Sequence, residues 1–139
     1  MGRARMSDSP MPSDVLLDTH AFLWFALGDE RMSPTARVVV EGASVVYVSA
    51  ASTWEIRTKH RLGRLAEANG LVAGLPGHIR RLGFTPLPIE IEDGDLAGAL
   101  DSAHRDPFDR ILVAQAILRD LPLVSNDSAL DAFGVRRGW

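Results

Sequence analysis

Val15-Leu16-Leu17-Asp18 is the stretch on which the fold turns. Three apolar residues end on a carboxylate, which fits a short buried strand. Residues 21–27 are again apolar and stop at Gly28-Asp29, so a short helix follows. Ser33-Pro34 reads as N-cap and first helical residue of a helix reaching about residue 41. Residues 45–48, Val-Val-Tyr-Val, predict a second strand. Ser49 opens a helix to about residue 61, with Gly63 as its stop. Residues 66–81 are broken by Gly70, Gly74, Pro76 and Gly77 into two short helices. Residues 84–89 predict a third strand, which Pro86 and Pro88 place at an edge or make irregular. A helix over 92–103 carries Leu96, Ala99 and Leu100 on one face, and Asp106-Pro107 starts another that reaches about 119. Leu121-Pro122-Leu123-Val124 predicts a buried strand, 126–132 a helical turn, and Val135 the start of a last strand. Strands alternating with helices imply right-handed crossovers. The expected fold is therefore α/β, three-layered, with a mostly parallel central sheet flanked by helices.

The remaining numbers bound the function. A chain of 139 residues fits one domain with a single core, and 46% hydrophobic with 24% charged residues is the profile of a soluble globular protein. Cysteine is absent, which excludes disulfides, thiol nucleophiles and cysteine metal sites. No apolar run approaches a membrane span, so no membrane partner is expected. Residues 1–13 are polar and lack the apolar segment of a signal peptide. They read as a disordered leader ahead of a domain over 14–139, or as sequence upstream of a start at Met6 or Met11. The net charge of -3 argues mildly against constitutive non-specific grip on nucleic acid. Its distribution is uneven: Arg57, Lys59, His60, Arg61 and Arg64 cluster, and Arg105 and Arg110 flank an acidic motif.

The chemistry signal lies in where the carboxylates fall. Asp18, Glu55 and Asp127 follow the ends of the first, second and fourth predicted strands, and Asp109 sits in the first turn of the helix begun by Pro107. In open α/β sheets, ligands bind beyond the carboxyl ends of the strands. Four carboxylates converging there repel one another unless a cation sits among them. Mg²⁺ is a hard cation that takes carboxylates, waters and phosphate oxygens, and such a site can activate water and stabilise charge on a phosphodiester. Each residue also has a purely structural reading. Ser52-Thr53-Trp54-Glu55 has capping-box spacing, Asp106 with Asp109 fits N-cap and N3 of one helix, and Asp18 and Asp127 fit caps or turns.

Four local sequences, in order, resemble those of one family. They are Leu16-Leu17-Asp18-Thr19-His20-Ala21-Phe22-Leu23-Trp24; Val48-Ser49-Ala50-Ala51-Ser52-Thr53-Trp54-Glu55-Ile56; His104-Arg105-Asp106-Pro107-Phe108-Asp109-Arg110-Ile111-Leu112-Val113-Ala114-Gln115-Ala116; and Leu123-Val124-Ser125-Asn126-Asp127. The resemblance is to the PIN-domain family, in its VapC-like toxin subgroup. It covers nearly everything from Asp14 to Trp139. It implies an endoribonuclease dependent on Mg²⁺ or Mn²⁺, with Asp18, Glu55, Asp109 and Asp127 as its acidic metal and catalytic residues. It also implies a cytoplasmic toxin, commonly a homodimer, neutralised by a cognate antitoxin that lays a C-terminal segment across the active-site groove. Ser125 stands where many relatives carry Thr. Arg57 and Thr58 stand where small or apolar residues are common.

On this reading Asp18 and Asp109 are the direct metal ligands, with Glu55. Asp127 holds a second metal or its water, and Ser125 hydrogen-bonds the same shell. Arg110 is a candidate contact to the scissile phosphate, with a surface ion pair as its alternative. Lys59 and Arg61, within the basic run, are candidates for the RNA backbone. His104 is a candidate to assist phosphate binding, with a solvated loop histidine as the favoured reading. Trp24 and Trp54 are expected in the core, with Trp24 or Phe25 also a candidate for a partner surface.

Three rival readings bear on the same residues. A haloacid-dehalogenase-type phosphatase needs a second Asp two residues after Asp18, where His20 stands. A non-catalytic PIN-like scaffold binding RNA or a partner expects broken acidic positions, and none is broken. A DNA-directed PIN nuclease remains a neighbour of the main reading; small size and the lack of an accessory domain favour the toxin.

Overall fold

The computed structural model describes residues 13–139, so the expected leader lies, but for Ser13, outside the described residues. Its strands are β1 (Val15–Leu17), β2 (Val46–Ser49), β3 (Thr85–Leu87), β4 (Leu123–Val124) and β5 (Arg137–Gly138). They form one sheet in the order β3-β2-β1-β4-β5, every pairing parallel. β1 is central: Leu17 pairs with Val48 on one side and Val124 on the other. The period-two alternation of a strand sends Val15 and Leu17 to one core and Leu16 to the other, and all three are buried. A strand buried on both faces has to read as an unbroken apolar run, which is why Val15-Leu16-Leu17 does.

The helices are α1 (Thr19–Leu27), α2 (Pro34–Gly42), α3 (Ala50–Arg61), α4 (Asn69–Val72), α5 (Leu75–Arg81), α6 (Ile91–Ala99) and α7 (Pro107–Leu118), with 3-10 turns at Ala66–Ala68 and Ser128–Phe133. Local chemistry sets their ends. Asp18, Ser33, Ser49 and Asp106 cap α1, α2, α3 and α7 through their side chains, and Gly28, at φ 63°, ends α1 in the left-handed conformation. One core holds Phe22, Ile56, Leu75 and Phe84 between β1–β2 and the helices α1 to α5. The other holds Leu112, Val113, Leu123 and Leu130.

The chain runs outward from β1 to β2 and β3, then returns to the other side of β1 for β4 and β5. Strand order therefore reverses between β1 and β4. That switch point is where α/β sheets open a crevice at their carboxyl ends.

Three expectations are corrected. The helix expected over 92–103 ends at Ala99, because the carbonyls of Leu100, Ser102 and His104 accept from the Arg110 guanidinium instead of continuing a helix. The strand expected over 84–89 is confined to Thr85–Leu87, at the sheet edge that its prolines require. Trp54 is not core: it is 54% exposed and packs edge-on against Phe108, ring centroids 4.7 Å apart. Trp24, by contrast, is buried as expected.

Candidate active site

Two turns meet at the switch point. The Asp18 backbone N–H donates to the Val124 carbonyl at 3.0 Å, so the turn after β1 is tied to the end of β4. The Asp18 carboxylate accepts from the Ala21 N–H at 2.8 Å through Oδ1 and thereby caps α1. Ser125, fully buried after β4, lies close enough to the Asp18 carboxylate to favour its charged form, and its Oγ accepts the Asp127 N–H at 3.0 Å. Asp127 in turn caps the following 3-10 turn through Ala129. Capping and a site role are thus compatible, since each cap uses only Oδ1.

β2 delivers α3, capped by Ser49 rather than Ser52, so the capping-box spacing of Ser52 and Glu55 is coincidental. Ser52 and Glu55 are both buried, and the Thr19 hydroxyl hydrogen-bonds the two of them. Lys59, one turn further along α3, donates to Glu55 Oε2. At the start of α7, Asp106 accepts the Asp109 N–H at 3.0 Å, and His104 Nε2 lies 2.9 Å from Asp109 Oδ2. The His104 ring packs edge-on against Phe133.

All four expected acids line one open cleft of about 420 Å³, together with Asp106, Lys59 and Asn126. His20 and Trp24 complete its rim. Burial pushes the Asp18 carboxyl up to about 6, with the Asp109 charge adding to the rise and Ser125, Ala21 and His20 opposing it. Burial likewise raises Asp109, aided by the charges of Asp106 and Glu55 and opposed by His104. Lys59 is partly buried, which works against its charge, yet the Glu55 hydrogen bond and the charges of Glu55, Asp106 and Asp109 outweigh that and hold its ammonium above the usual range.

The donor set fits a hard divalent cation. Ligand atoms of His104, Asp109 and Asp127 lie within 4.8 Å of one another. Asp18 lines the same cleft with its ionised form disfavoured by burial, a condition that a cation relieves. Glu55 stands differently, since Thr19 and Lys59 engage its two oxygens. The tight trio therefore contains two of the four expected acids and a histidine the sequence reading left in solvent.

Two expected RNA contacts are placed elsewhere. Arg110 directs Nε, Nη1 and Nη2 to the carbonyls of Ala97, Leu100, Ser102 and His104 at 2.6–3.3 Å, so it neither contacts the cleft nor makes the surface ion pair weighed as its alternative. It fastens the loop that carries His104 and Asp106. Arg61 lines a different hollow with Arg57, His60 and Asn69. Lys59 alone of the three lies in the acid cleft. Sequence reasoning missed Thr19 and Asn126 as site residues, and weighed His104 for phosphate or solvent rather than against Asp109. Thr19 and His104 lay inside the quoted motifs, but nothing in their spacing showed that they reach Glu55 and Asp109.

Fold and site together define a parallel α/β protein with an acidic, cation-suited cleft at its topological switch point. The chain belongs to the PIN-domain family, whose profile matches residues 15–135. It is 32% identical to Ribonuclease VapC22 of Mycobacterium tuberculosis over 120 residues, which are 84% of this chain and 88% of that protein. Its fold is similar to that of VapC20 of Mycobacterium tuberculosis, described as a sarcin-ricin loop cleaving toxin, with a TM-score of 0.64, 17% identity, and coverage of 87% and 95% of the two chains. A DNA-bound VapBC from Salmonella typhimurium aligns with a TM-score of 0.65, 17% identity, and coverage of 92% and 98%.

Proposed function

We propose that this protein is a divalent-metal-dependent endoribonuclease, the toxin of a VapBC-type toxin–antitoxin pair. The observation that carries the reading is the gathering of Asp18, Glu55, Asp109 and Asp127 in one cleft beyond the ends of β1, β2 and β4. The likeness to Ribonuclease VapC22 over most of both chains supports RNA as the substrate. The VapBC assembly among the structural relatives supports a cognate antitoxin as partner. A cytoplasmic homodimer is part of the same reading. No helix among the described residues is long and apolar enough to cross a membrane.

Asp18, Asp109 and Asp127 would hold Mg²⁺ or Mn²⁺, with His104 orienting Asp109 and Ser125 holding Asp18 and the Asp127 turn. Bound there, the ion supplies a stronger nucleophile from water and charge stabilisation at the phosphodiester. The chain's own residues set the conditions. Thr19 and Lys59 fix Glu55, and the Lys59 ammonium brings a positive charge to the mouth of an otherwise acidic cleft, where a phosphate oxygen must approach. Asp106 fixes the first turn of α7 and so the position of Asp109.

The test is to incubate the purified chain and Asp18→Asn with total RNA, with Mg²⁺ or Mn²⁺ and with EDTA. Discrete fragments from the parent, lost with EDTA and with the substitution, are expected. A parent inactive with both metals, after removal of any co-purified antitoxin, would instead support a non-catalytic binding scaffold. Cutting of DNA in preference to RNA would favour the DNA-directed reading.

A further inference from the structure

Trp54 is the largest side chain left exposed beside the cleft, and nothing in the catalytic reading uses it. It is the chain neighbour of Glu55, and Phe108, against which it packs, is the neighbour of Asp109. The aromatic pair therefore sits on the two helices that carry cleft acids. Trp54 also lines a second groove, about 540 Å³, with Pro86 and Leu87 of β3, Pro88 just after it, and Ile79. That volume falls within the roughly 300–1,000 Å³ typical of small-ligand sites. The groove is mainly apolar, and its charged lining residues are Arg57 and Arg80, with no carboxylate.

An apolar slot with an exposed indole, bordered by arginines and adjoining an acid cleft, matches what single-stranded nucleic acid offers. Bases present flat apolar faces that stack on aromatic rings, and the backbone between them is anionic. Charge complementarity separates this occupant from an acidic-cleft ligand: the cleft is built for a cation, the groove for a polyanion with flat apolar groups. α3 borders both: Trp54 and Arg57 line the groove, and Glu55 and Lys59 line the cleft.

We propose that the groove walled by Trp54, Pro86 and Pro88 is a nucleobase-stacking subsite that seats an unpaired base of the RNA strand beside the scissile phosphate. Arg80 and Arg57 meet the backbone that flanks that base. The subsite rests on the ribonuclease reading and deepens it: it makes the enzyme select unpaired RNA and gives the groove, not the acids, the choice of sequence.

The experiment uses the full chain carrying Asp18→Asn, so that RNA is not cut, and a single-stranded RNA decamer alongside the same backbone with abasic positions. Binding is read by anisotropy of the labelled strand and by quenching of indole emission. Trp54→Ala is expected to weaken decamer binding about tenfold to a hundredfold and to remove most of the quenching. Trp54→Phe is expected to retain most of the affinity. The abasic strand should bind the Asp18→Asn chain and its Trp54→Ala derivative equally weakly, whereas Arg80→Ala should weaken both strands alike. Unchanged decamer affinity on Trp54→Ala would overturn the proposal. So would sedimentation showing that Trp54→Ala turns a dimer into a monomer while RNA affinity is unaltered, because the face would then belong to a second copy. Cleavage by the parent is read separately, so loss of the subsite leaves the nuclease standing, while a parent that neither binds nor cuts RNA sinks both.

Discussion

Among the described residues two aspartates are buried, and their charges are met in opposite ways. Asp93, in the first turn of α6, is fully buried and carries its countercharge within the chain: Arg119, the C-cap of α7, donates to both oxygens at 2.7 and 3.0 Å, and the Glu90 N–H adds a third bond in a capping box. Burial alone would raise its carboxyl, but Arg119 and the capping bond outweigh that and hold it below the usual range. Asp18 is nearly as buried and makes no ion pair among the described residues; Ser125, the Ala21 N–H and His20 oppose the rise, but burial wins and the carboxyl is pushed up to about 6. A structural acid arrives with its cation built in. An acid that awaits an outside cation stays electrostatically unbalanced. The contrast sets an aspartate that holds α6 on α7 against one that, on the proposed function, serves chemistry.

Activity should separate the two aspartates most widely. Asp109→Asn should lower RNA cleavage by about 10³-fold or more, because a metal site contributes several kcal/mol to the transition state and each 1.36 kcal/mol is tenfold. Asp93→Asn should cut at nearly the parental rate at a temperature where it is folded. A gel-based rate on the same RNA decides it; equal losses would erase the distinction.

Stability should show the reverse ranking. Asp93→Asn strands the Arg119 guanidinium and should cost about 2–4 kcal/mol, the cost of breaking a buried ion pair reduced because Arg119 is about a quarter exposed. Urea unfolding at neutral pH measures it. Asp18→Asn should stabilise the metal-free chain by about 2–3 kcal/mol at neutral pH, the value of a shift from 3.8 to about 6.

The pH dependences of the two acids also oppose each other. For Asp18, the folded chain keeps a proton up to about pH 6 while the unfolded chain releases it from 3.8, so its contribution to stability is lost as pH rises between those values. For Asp93 the folded carboxyl lies below the unfolded one, so its contribution is present at neutral pH and is lost on acidification below the unfolded value. Urea midpoints in EDTA, compared across pH for the parent and Asp18→Asn, should differ most at neutral pH and converge near pH 4. Parallel curves would show that Asp18 is not under this strain.

The difference between the two regions also explains what the sequence made legible. The order of elements was readable because strands buried on both faces must be apolar throughout, as Val15-Leu16-Leu17 is, and because Ser33-Pro34 and Asp106-Pro107 mark helix starts locally. The four acids were readable as positions after strands and at a helix start. What stayed hidden depends on side chains meeting across the fold. Arg110 is adjacent to an acid in sequence yet turns to the carbonyls of the loop before it. Trp54 precedes a buried Glu55, but adjacent helical residues point about 100° apart, so one faces the site and the other solvent. His104 looked like a loop residue because its partner lies five positions on, across a helix start.

If Asp18 and its neighbours form a cation site, as the proposed function requires, metal binding must show in stability. The direct test is the melting temperature of the parent and of Asp18→Asn, in EDTA and with Mn²⁺ at about a hundredfold excess over its Kd, near pH 7.5. Ligand binding at that excess is worth about 2.7 kcal/mol, so the parent should gain ~10 °C with Mn²⁺, while Asp18→Asn should start higher in EDTA and gain little. A parent unmoved by Mn²⁺, or a variant that gains as much as the parent, would contradict the account.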